Sequence, residues 1–363
     1  MITVDNIHTL DDTEIQQFLS HALNILLQGQ DLDALVMRSV MLAIMHGRCP
    51  DALMGAILVA LRTKGESIDE ITAAATVMKT LADGITLPSL THVVDIVGTG
   101  GDGANLFNVS TAASFVIASS GAIVAKHGNR GVSTKSGSSD LLQTAGACLD
   151  LTHGELLQCL QTQNLGFLFA PNHHQAMKHA AGVRGQLKVR TIFNVLGPLT
   201  NPAGVVNQVI GVFDAKLCNP LAHVLKNLGS HHAIVVHSAD GLDEFSLAGQ
   251  NFVSELKDGV VRDHIITPED VDLTVQNLDG LGVSSSKDSL ALIETALSGR
   301  SDDSLIQKAQ SMIAFNAGAA IYVAGQATTL KHGVQIAKNI IDDGMARQKM
   351  KDFVQFTQAF KTI

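Results

Sequence analysis

Between Val97 and Asp140 the chain concentrates glycines, hydroxyls and basic side chains in two runs. The first reads Gly98-Thr-Gly-Gly-Asp-Gly103 and leads to Asn108-Val-Ser-Thr111. The second reads Lys126-His-Gly-Asn-Arg130 and passes Lys135 to reach Gly137-Ser-Ser-Asp140. Glycine lets backbone N–H groups approach an anion with no Cβ in the way. A helix opening at Asn108 adds unpaired N–H groups and the positive end of its dipole. The chemistry that suits this pattern is the binding of a phosphorylated ligand, a diphosphate above all. Much later, Asp240-Gly-Leu-Asp-Glu244 sets Asp243 beside Glu244 just past an apolar run ending at His237. Adjacent carboxylates at a strand end suit Mg2+, which bridges protein carboxylates and substrate phosphates.

Two other readings of these residues are weaker. The first run satisfies G-x-G-x-x-G after a strand, the dinucleotide-binding pattern. That pattern wants a helix opening inside the glycines and an acid about 20 residues on. Here no helix is expected before Asn108, and the second strand is expected to end at Lys126. The histidines at 173, 174 and 179 and at 231, 232 and 237 show neither H-E-x-x-H spacing nor a cysteine partner, so no transition-metal site is expected.

The elements that must carry these loops alternate. Val93–Val97, Ala122–Ala125, Gly166–Phe169, Gln208–Phe213 and Ala233–His237 read as buried strands. Helical segments at Asn108–Ser120, from Thr152 and at Ala215–Leu228 fall between them, the βα alternation of a parallel sheet. Phe252–Ile266 differs: two alternating runs flank Asp258-Gly259, a type I′ hairpin signal. Residues 12–84 read as four amphipathic helices. Asp11 and Asp12 serve as caps of the first, the second covers Leu32–Met45, and Pro50 lies in the first turn of the third. Ser67-Ile-Asp-Glu70 forms a capping box on the fourth. Helices return after Asp288.

Composition narrows the function classes. With 363 residues, 46% hydrophobic and 16% charged, the chain has room for two domains with a large core. A net charge of −9 argues against nucleic acid as a partner. One Tyr, 13 Phe and no Trp leave little for base-stacking platforms. The four cysteines are widely spaced, with no C-x-x-C, which suits a reducing compartment. Neither a signal peptide nor an apolar run of about 18 residues is evident, so a cytoplasmic protein without a membrane partner is expected.

Taken together, 98–102, 108–111, 126–129, 137–140, Val183-Arg184, the run from Arg190 to Pro202 and 240–244 resemble the anthranilate phosphoribosyltransferases. Ala60–Glu66 and Asn316–Ala320 extend the resemblance over nearly the whole chain. It implies an α/β fold, with a small all-helical domain plus a large α/β domain whose mostly parallel central sheet is flanked by helices. The small domain is expected at 1–86, joined by about 172–196, and the large one at 87–171 and 197–363. It implies a homodimer, with anthranilate, 5-phosphoribosyl 1-diphosphate and Mg2+ bound at a hinge. By position Gly98, Gly101, Asp102, Asn108, Val109, Ser110, Thr111, Lys126, His127, Gly128, Asn129, Arg130 and Ser138 are expected to hold the phosphoribosyl diphosphate. Ser110, Asp243 and Glu244 are expected at the metal, and Gly98, Asn129 and Arg184 at anthranilate. No general base is expected, because an aniline-type nitrogen already exposes its lone pair at neutral pH. Two positions depart from the pattern: Leu106 replaces a usual Thr, and Gln175 replaces a usual Pro or Lys. The alternatives on a similar fold are a pyrimidine nucleoside phosphorylase and a non-catalytic regulatory or nucleic-acid-binding relative. The latter should have lost the 243–244 acid pair or gained basic surface.

Overall fold

Local caps set the helical start of the chain. In the computed structural model, which describes residues 1–3, 6–88, 90–101, 103–131 and 135–362, Asp11 caps α1 (Asp12–Leu27) by a reciprocal box with Glu14. Asp33 caps α2 (Ala34–Met45), Pro50 occupies the cap position of α3 (Asp51–Lys64), and Ser67 with Glu70 boxes α4 (Ile68–Leu81). Asp12 is thus the first helical residue, and Pro50 stands one place ahead of the first turn. Glu70 does more than cap. Fully buried, it also accepts from the Leu32 N–H at 2.9 Å and from Lys64 at 2.9 Å, tying the α1–α2 linker and the end of α3 to the start of α4.

The α/β part begins with β1 (Val93–Gly98), α5 (Val109–Ser119), β2 (Ile123–Gly128), α6 (Ser138–Thr144), α7 (His153–Gln163) and β3 (Leu165–Phe169). The chain then runs through α8 (Ala170–His173), α9 (Lys178–Leu187) and α10 (Phe193–Leu199) before returning to the sheet. There follow β4 (Asn207–Gly211), α11 (Cys218–Asn227), β5 (His232–Ser238), β6 (Asn251–Lys257) and β7 (Val260–Ile266). The last helices are α12 (Ser286–Ala296), α13 (Ser304–Val323), α14 (Leu330–Asp342) and α15 (Met345–Gln358). The seven-stranded sheet has the order β3-β2-β1-β4-β5-β6-β7. The first five are parallel, and β6 and β7 close the edge antiparallel. Asp258 and Gly259 both take positive φ, 52° and 73°, as the expected hairpin turn requires.

β2 is longer than expected. Lys126, His127 and Gly128 pair with Phe167, Leu168 and Phe169 of β3, so they end a strand instead of starting a loop. Side chains on a strand end are fixed by the ladder, and this decides where Lys126 can go. One core packs α5, α13, α14 and α15 against one face of the sheet. A second joins α1–α4, α9 and α10 to α11 and the other face. Gly318 of α13 and Gly333 of α14 let those helices cross backbone to backbone, since a Cβ on either would strike the opposite chain. Among the described residues no helix is long and apolar enough to cross a membrane.

Candidate active site

The sheet reverses its winding between β1 and β4. From β1 the chain steps out through β2 to β3, then returns to lay β4 on the opposite side of β1, with Gly98 facing Gly211. Open parallel sheets bind ligands in the crevice beyond the strand ends at such a point. A cavity of about 820 Å³ opens there, walled by the ends of β1 and β2, the start of α5, residues 128–131 and 136–138, α9 and α10, and the 242–244 turn.

Glycine is what lets the 242–244 turn reach this crevice. A Cβ on Gly98 would meet the Asp243 carboxylate, and one on Gly211 would overlap the Asp243 backbone carbonyl. The turn is held from behind as well. Asn316 of α13 accepts from the Phe245 N–H at 3.0 Å and donates to the Phe245 carbonyl at 2.9 Å. Asp240 accepts from the hydroxyls of Ser238 and Ser246. Asp243 and Glu244 therefore sit on a rigid turn, and both line the cavity.

The glycine run passes over the crevice with Gly100 and Gly101 at φ 67° and 84°. The Gly100 N–H donates to Asp243 Oδ2 at 2.5 Å, and the Thr99 N–H to the Gly211 carbonyl at 3.0 Å. Asp102 lies outside the described residues. Helix α5 aims its N-terminus at the cavity. The backbone N–H groups of Ser110 and Thr111 find no acceptor among the described residues, and the buried Thr111 hydroxyl has no partner. Unpaired donors at a helix start are the geometry that favours an anion. Asn108 lines the cavity, but its amide is engaged: Nδ2 donates to the Ser136 carbonyl at 3.0 Å, while Oδ1 accepts from Ser136 and Ser289 at 2.8 Å each. It joins the two polar loops. Val109 is the residue the structure does not bring to the cavity. Its side chain is fully buried in the core and its N–H donates to the Phe107 carbonyl at 2.7 Å.

Lys126 reaches the crevice from β2 and is only 2% exposed. Its ammonium donates to the Ile96 carbonyl at 2.5 Å and to Ser110 Oγ at 3.3 Å. Burial lowers its pKa to about 8, with Asp95 and Glu244 holding the proton on. Asp95, buried in the middle of β1, accepts from the His127 N–H at 3.2 Å and Asn201 Nδ2 at 2.8 Å. Burial raises it to about 6 against the pull of Lys126. His127 is neutral: burial, with His174 and His173 nearby, lowers it to about 3. Among the described residues its buried Nε2 has no partner, nor has that of His174, and the two ring centroids lie 5.2 Å apart.

Gly128, Asn129, Arg130 and Ser138 form the next wall. A Cβ on Gly128 would strike Ser138 and the Phe167 ring, so the loop can close only over glycine. Asp140 fastens it by accepting from the N–H groups of Gly131 and Gly137 at 2.9 Å. Across the cavity, Arg184 of α9 stacks its guanidinium 5.2 Å above the Phe193 ring. It makes no ion pair or side-chain hydrogen bond among the described residues, and partial burial works against its charge. Leu106, at the usual Thr position, lines the cavity and bridges to Gly282. Gln175 begins a short 3-10 turn.

Every expected site residue among those described, Val109 apart, thus lines one cavity. Sequence reasoning assigned no role to Asp95, Asn201, Asn316 or Arg190. For Asp95 the signal was present, a lone acid inside Val93–Val97, because a charge in a buried strand needs partners. The others act over separations of more than 70 residues, which no local pattern encodes.

Residues 90–347 match the model of the glycosyl transferase family a/b domain, and residues 20–82 that family's helical bundle domain. The helical bundle and the α/β sheet of this fold thus match the two domains of that class. The anthranilate phosphoribosyltransferase of Psychrobacter sp. (strain PRwf-1) is 56% identical over 97% of this chain and 97% of its own length. That of Acinetobacter baylyi is 55% identical over 94% and 98%. The crystal structure of the Thermus thermophilus enzyme superposes with a TM-score of 0.86 at 38% identity, covering 93% of this chain and 99% of its own. The Saccharomyces cerevisiae enzyme in complex with PRPP and Mg gives 0.84 at 26% identity, over 94% and 98%. The chain belongs to the anthranilate phosphoribosyltransferase family.

Proposed function

We propose that this protein transfers the 5-phosphoribosyl group of 5-phosphoribosyl 1-diphosphate to the amine of anthranilate. The products are N-(5-phosphoribosyl)anthranilate and diphosphate, in tryptophan biosynthesis. The observation that carries the reading is Arg184, a half-buried guanidinium with no anionic partner among the described residues, in the same cavity as an anion-binding helix start. A planar guanidinium fits a carboxylate bidentately, as it fits a phosphate. A nucleoside phosphorylase has no carboxylate substrate to offer it.

The donor groups divide by charge. The N–H groups of Ser110 and Thr111, the Thr111 hydroxyl and the Lys126 ammonium favour the diphosphate end. Gly128, Asn129, Arg130 and Ser138 favour the ribose phosphate. Asp243, Glu244 and the Ser110 hydroxyl are hard oxygen donors suited to Mg2+. Among the described residues no three His, Cys, Asp or Glu side chains converge as a metal cage. That fits a cation completed by substrate oxygens and water. Mg2+ bound there supplies charge stabilisation for the departing diphosphate. Arg184 orients anthranilate so that its amine faces the ribose C1, and the oriented backbone N–H groups act on charge that grows as the C1–O bond breaks. The attacking nitrogen carries its own lone pair, so the chain needs no strong base.

We read residues 1–86 with about 172–196 as the small domain, and 87–171 with 197–363 as the large one. The packing of α9 against α2 and α3 supports this division. A second copy of the chain is proposed to cover the apolar groove between α1, α3 and α9, lined by Leu23, Leu26, Val59, Val183 and Leu187. Leu27 and Val59 are 69% and 40% exposed there. Cytoplasmic location is supported by four buried free thiols. The deciding assay follows anthranilate fluorescence with purified protein, Mg2+ and phosphoribosyl diphosphate. Consumption is expected; a folded protein inert at saturating substrates refutes the assignment.

A further inference from the structure

Arg190 lines the same cavity and is fixed at three points. Its Nη2 donates to the Gly101 carbonyl at 2.7 Å. Its guanidinium lies 4.1 Å from the centroid of the Phe213 ring, just beyond the end of β4. Its own carbonyl accepts from Arg62 Nη1 of α3 at 2.9 Å. Phe213 in turn donates its N–H to Thr99 Oγ1 at 3.2 Å, so the ring that supports the guanidinium is fastened to the same glycine run.

The glycine run needs such support. Gly100 and Gly101 both take positive φ, and glycine backbone loses more conformational freedom on ordering than any other. Two charged groups grip it at adjacent residues. Asp243 takes the Gly100 N–H at 2.5 Å and Arg190 takes the Gly101 carbonyl, each using the peptide pole of opposite sign. A carbonyl whose negative pole is met by the Arg190 guanidinium repels an incoming phosphate less. Holding it there weakens a repulsive dipole in the cradle.

We propose that Arg190 is a positioning residue for the phosphoribosyl diphosphate loop. It keeps the 98–101 backbone in its anion-binding shape and, through Arg62, ties that shape to the helical domain. The inference rests on the functional reading above and deepens it: the loop's order, and so the affinity for the diphosphate substrate, depends on a residue beside α9.

Arg190→Ala, Arg190→Lys and Arg62→Ala test it by calorimetric binding of Mg2+–phosphoribosyl diphosphate, by separate KM values and by amide exchange over 97–104. Arg190→Ala is expected to weaken diphosphate-substrate binding at least tenfold, leave the anthranilate KM within twofold, and speed exchange in the ligand-free protein. Lysine should not restore it, since an ammonium lacks the planar fork and the stack. Arg62→Ala should have the same effect at a few-fold. Unchanged affinity and exchange in Arg190→Ala, or full rescue by lysine, overturns the inference. If Arg190→Ala does not fold, Arg190→Lys carries the same test. A wild-type protein that binds no phosphoribosyl diphosphate refutes the functional reading instead, and exchange in the ligand-free variants still decides the role of Arg190.

Discussion

Replacing Arg184 by alanine separates the acceptor site from the phosphate cradle. The guanidinium stacks on Phe193 at 5.2 Å and has no partner among the described residues, so the ligand-free protein loses little with it. A bound carboxylate would gain two parallel charge-assisted bonds, each worth roughly 1.5–3 kcal/mol. Water entering the truncated site returns part of that. The net loss is about 3 kcal/mol, which is on the order of 10²-fold in kcat/KM for anthranilate. Lysine keeps the charge but loses the fork, so Arg184→Lys should lose on the order of tenfold. Neither change should move the affinity for phosphoribosyl diphosphate more than about threefold, nor the unfolding free energy more than about 1 kcal/mol. Initial rates against each substrate in turn, with urea unfolding beside them, check all of this. Equal losses for both substrates would refute the division of the cavity. A large drop in stability would show that the arginine is structural.

Three further outcomes follow from other parts of the fold. Gly211→Ala places a methyl group on the Asp243 carbonyl, so it should destabilise by about 3 kcal/mol and raise the Mg2+ needed for half-maximal rate; a silent substitution, in urea unfolding and metal titration, contradicts the packing. Glu70→Ala leaves Lys64, whose side chain is 7% exposed, with only Asp31 as counter-ion and opens two N–H groups, and should cost about 3–5 kcal/mol in denaturant unfolding with the substrate KM values unchanged. The third concerns pH. His127 and His174 are held at about 3 and about 4, below the 6.5 of an unfolded chain, so the unfolded state takes up protons that the fold refuses. Their contribution is complete above pH 6.5 and falls away toward pH 4, by about 2 kcal/mol each at pH 5. Asp95, raised to about 6, runs the other way and adds stability as pH falls from 6 toward 3.8. His174→Gln should therefore lose about 2 kcal/mol less than the wild type between pH 7 and pH 5, and equal losses would refute the assignment.

The reach of each signal decided what the sequence revealed. The capping box at Ser67–Glu70 formed as its spacing implied, Asp11 capped the first helix, and Asp258-Gly259 made the hairpin turn. These are contacts within four residues. The second strand was expected to end at Lys126, yet pairing with β3 carries it through Gly128. Glu70 was legible as a cap but not as the hub of a linker 38 residues away. Asn108 was legible as polar and near the site, though its amide also holds Ser136 and, 181 residues from Asn108 itself, Ser289. The strand order, which puts Gly211 beside Gly98 and so creates the crevice, has no local sequence mark at all.

That crevice also explains how an acidic protein of net charge −9 can hold a strongly anionic substrate. Lys126, Arg130, Arg184, Lys188 and Arg190 all line it, along with the helix start at Ser110 and Thr111. Field lines in a low-dielectric cleft follow these near groups, whereas the acids on the outer surface are screened within about 10 Å. Asp243 and Glu244 are the exception, since they face the same anion. On the proposed function they would oppose its binding unless a divalent cation lay between, which would make substrate affinity and metal binding two readings of one linkage. The phosphate cradle and the acid pair are therefore parts of a single site, brought together where Gly98 and Gly211 let the 242–244 turn reach the strand ends.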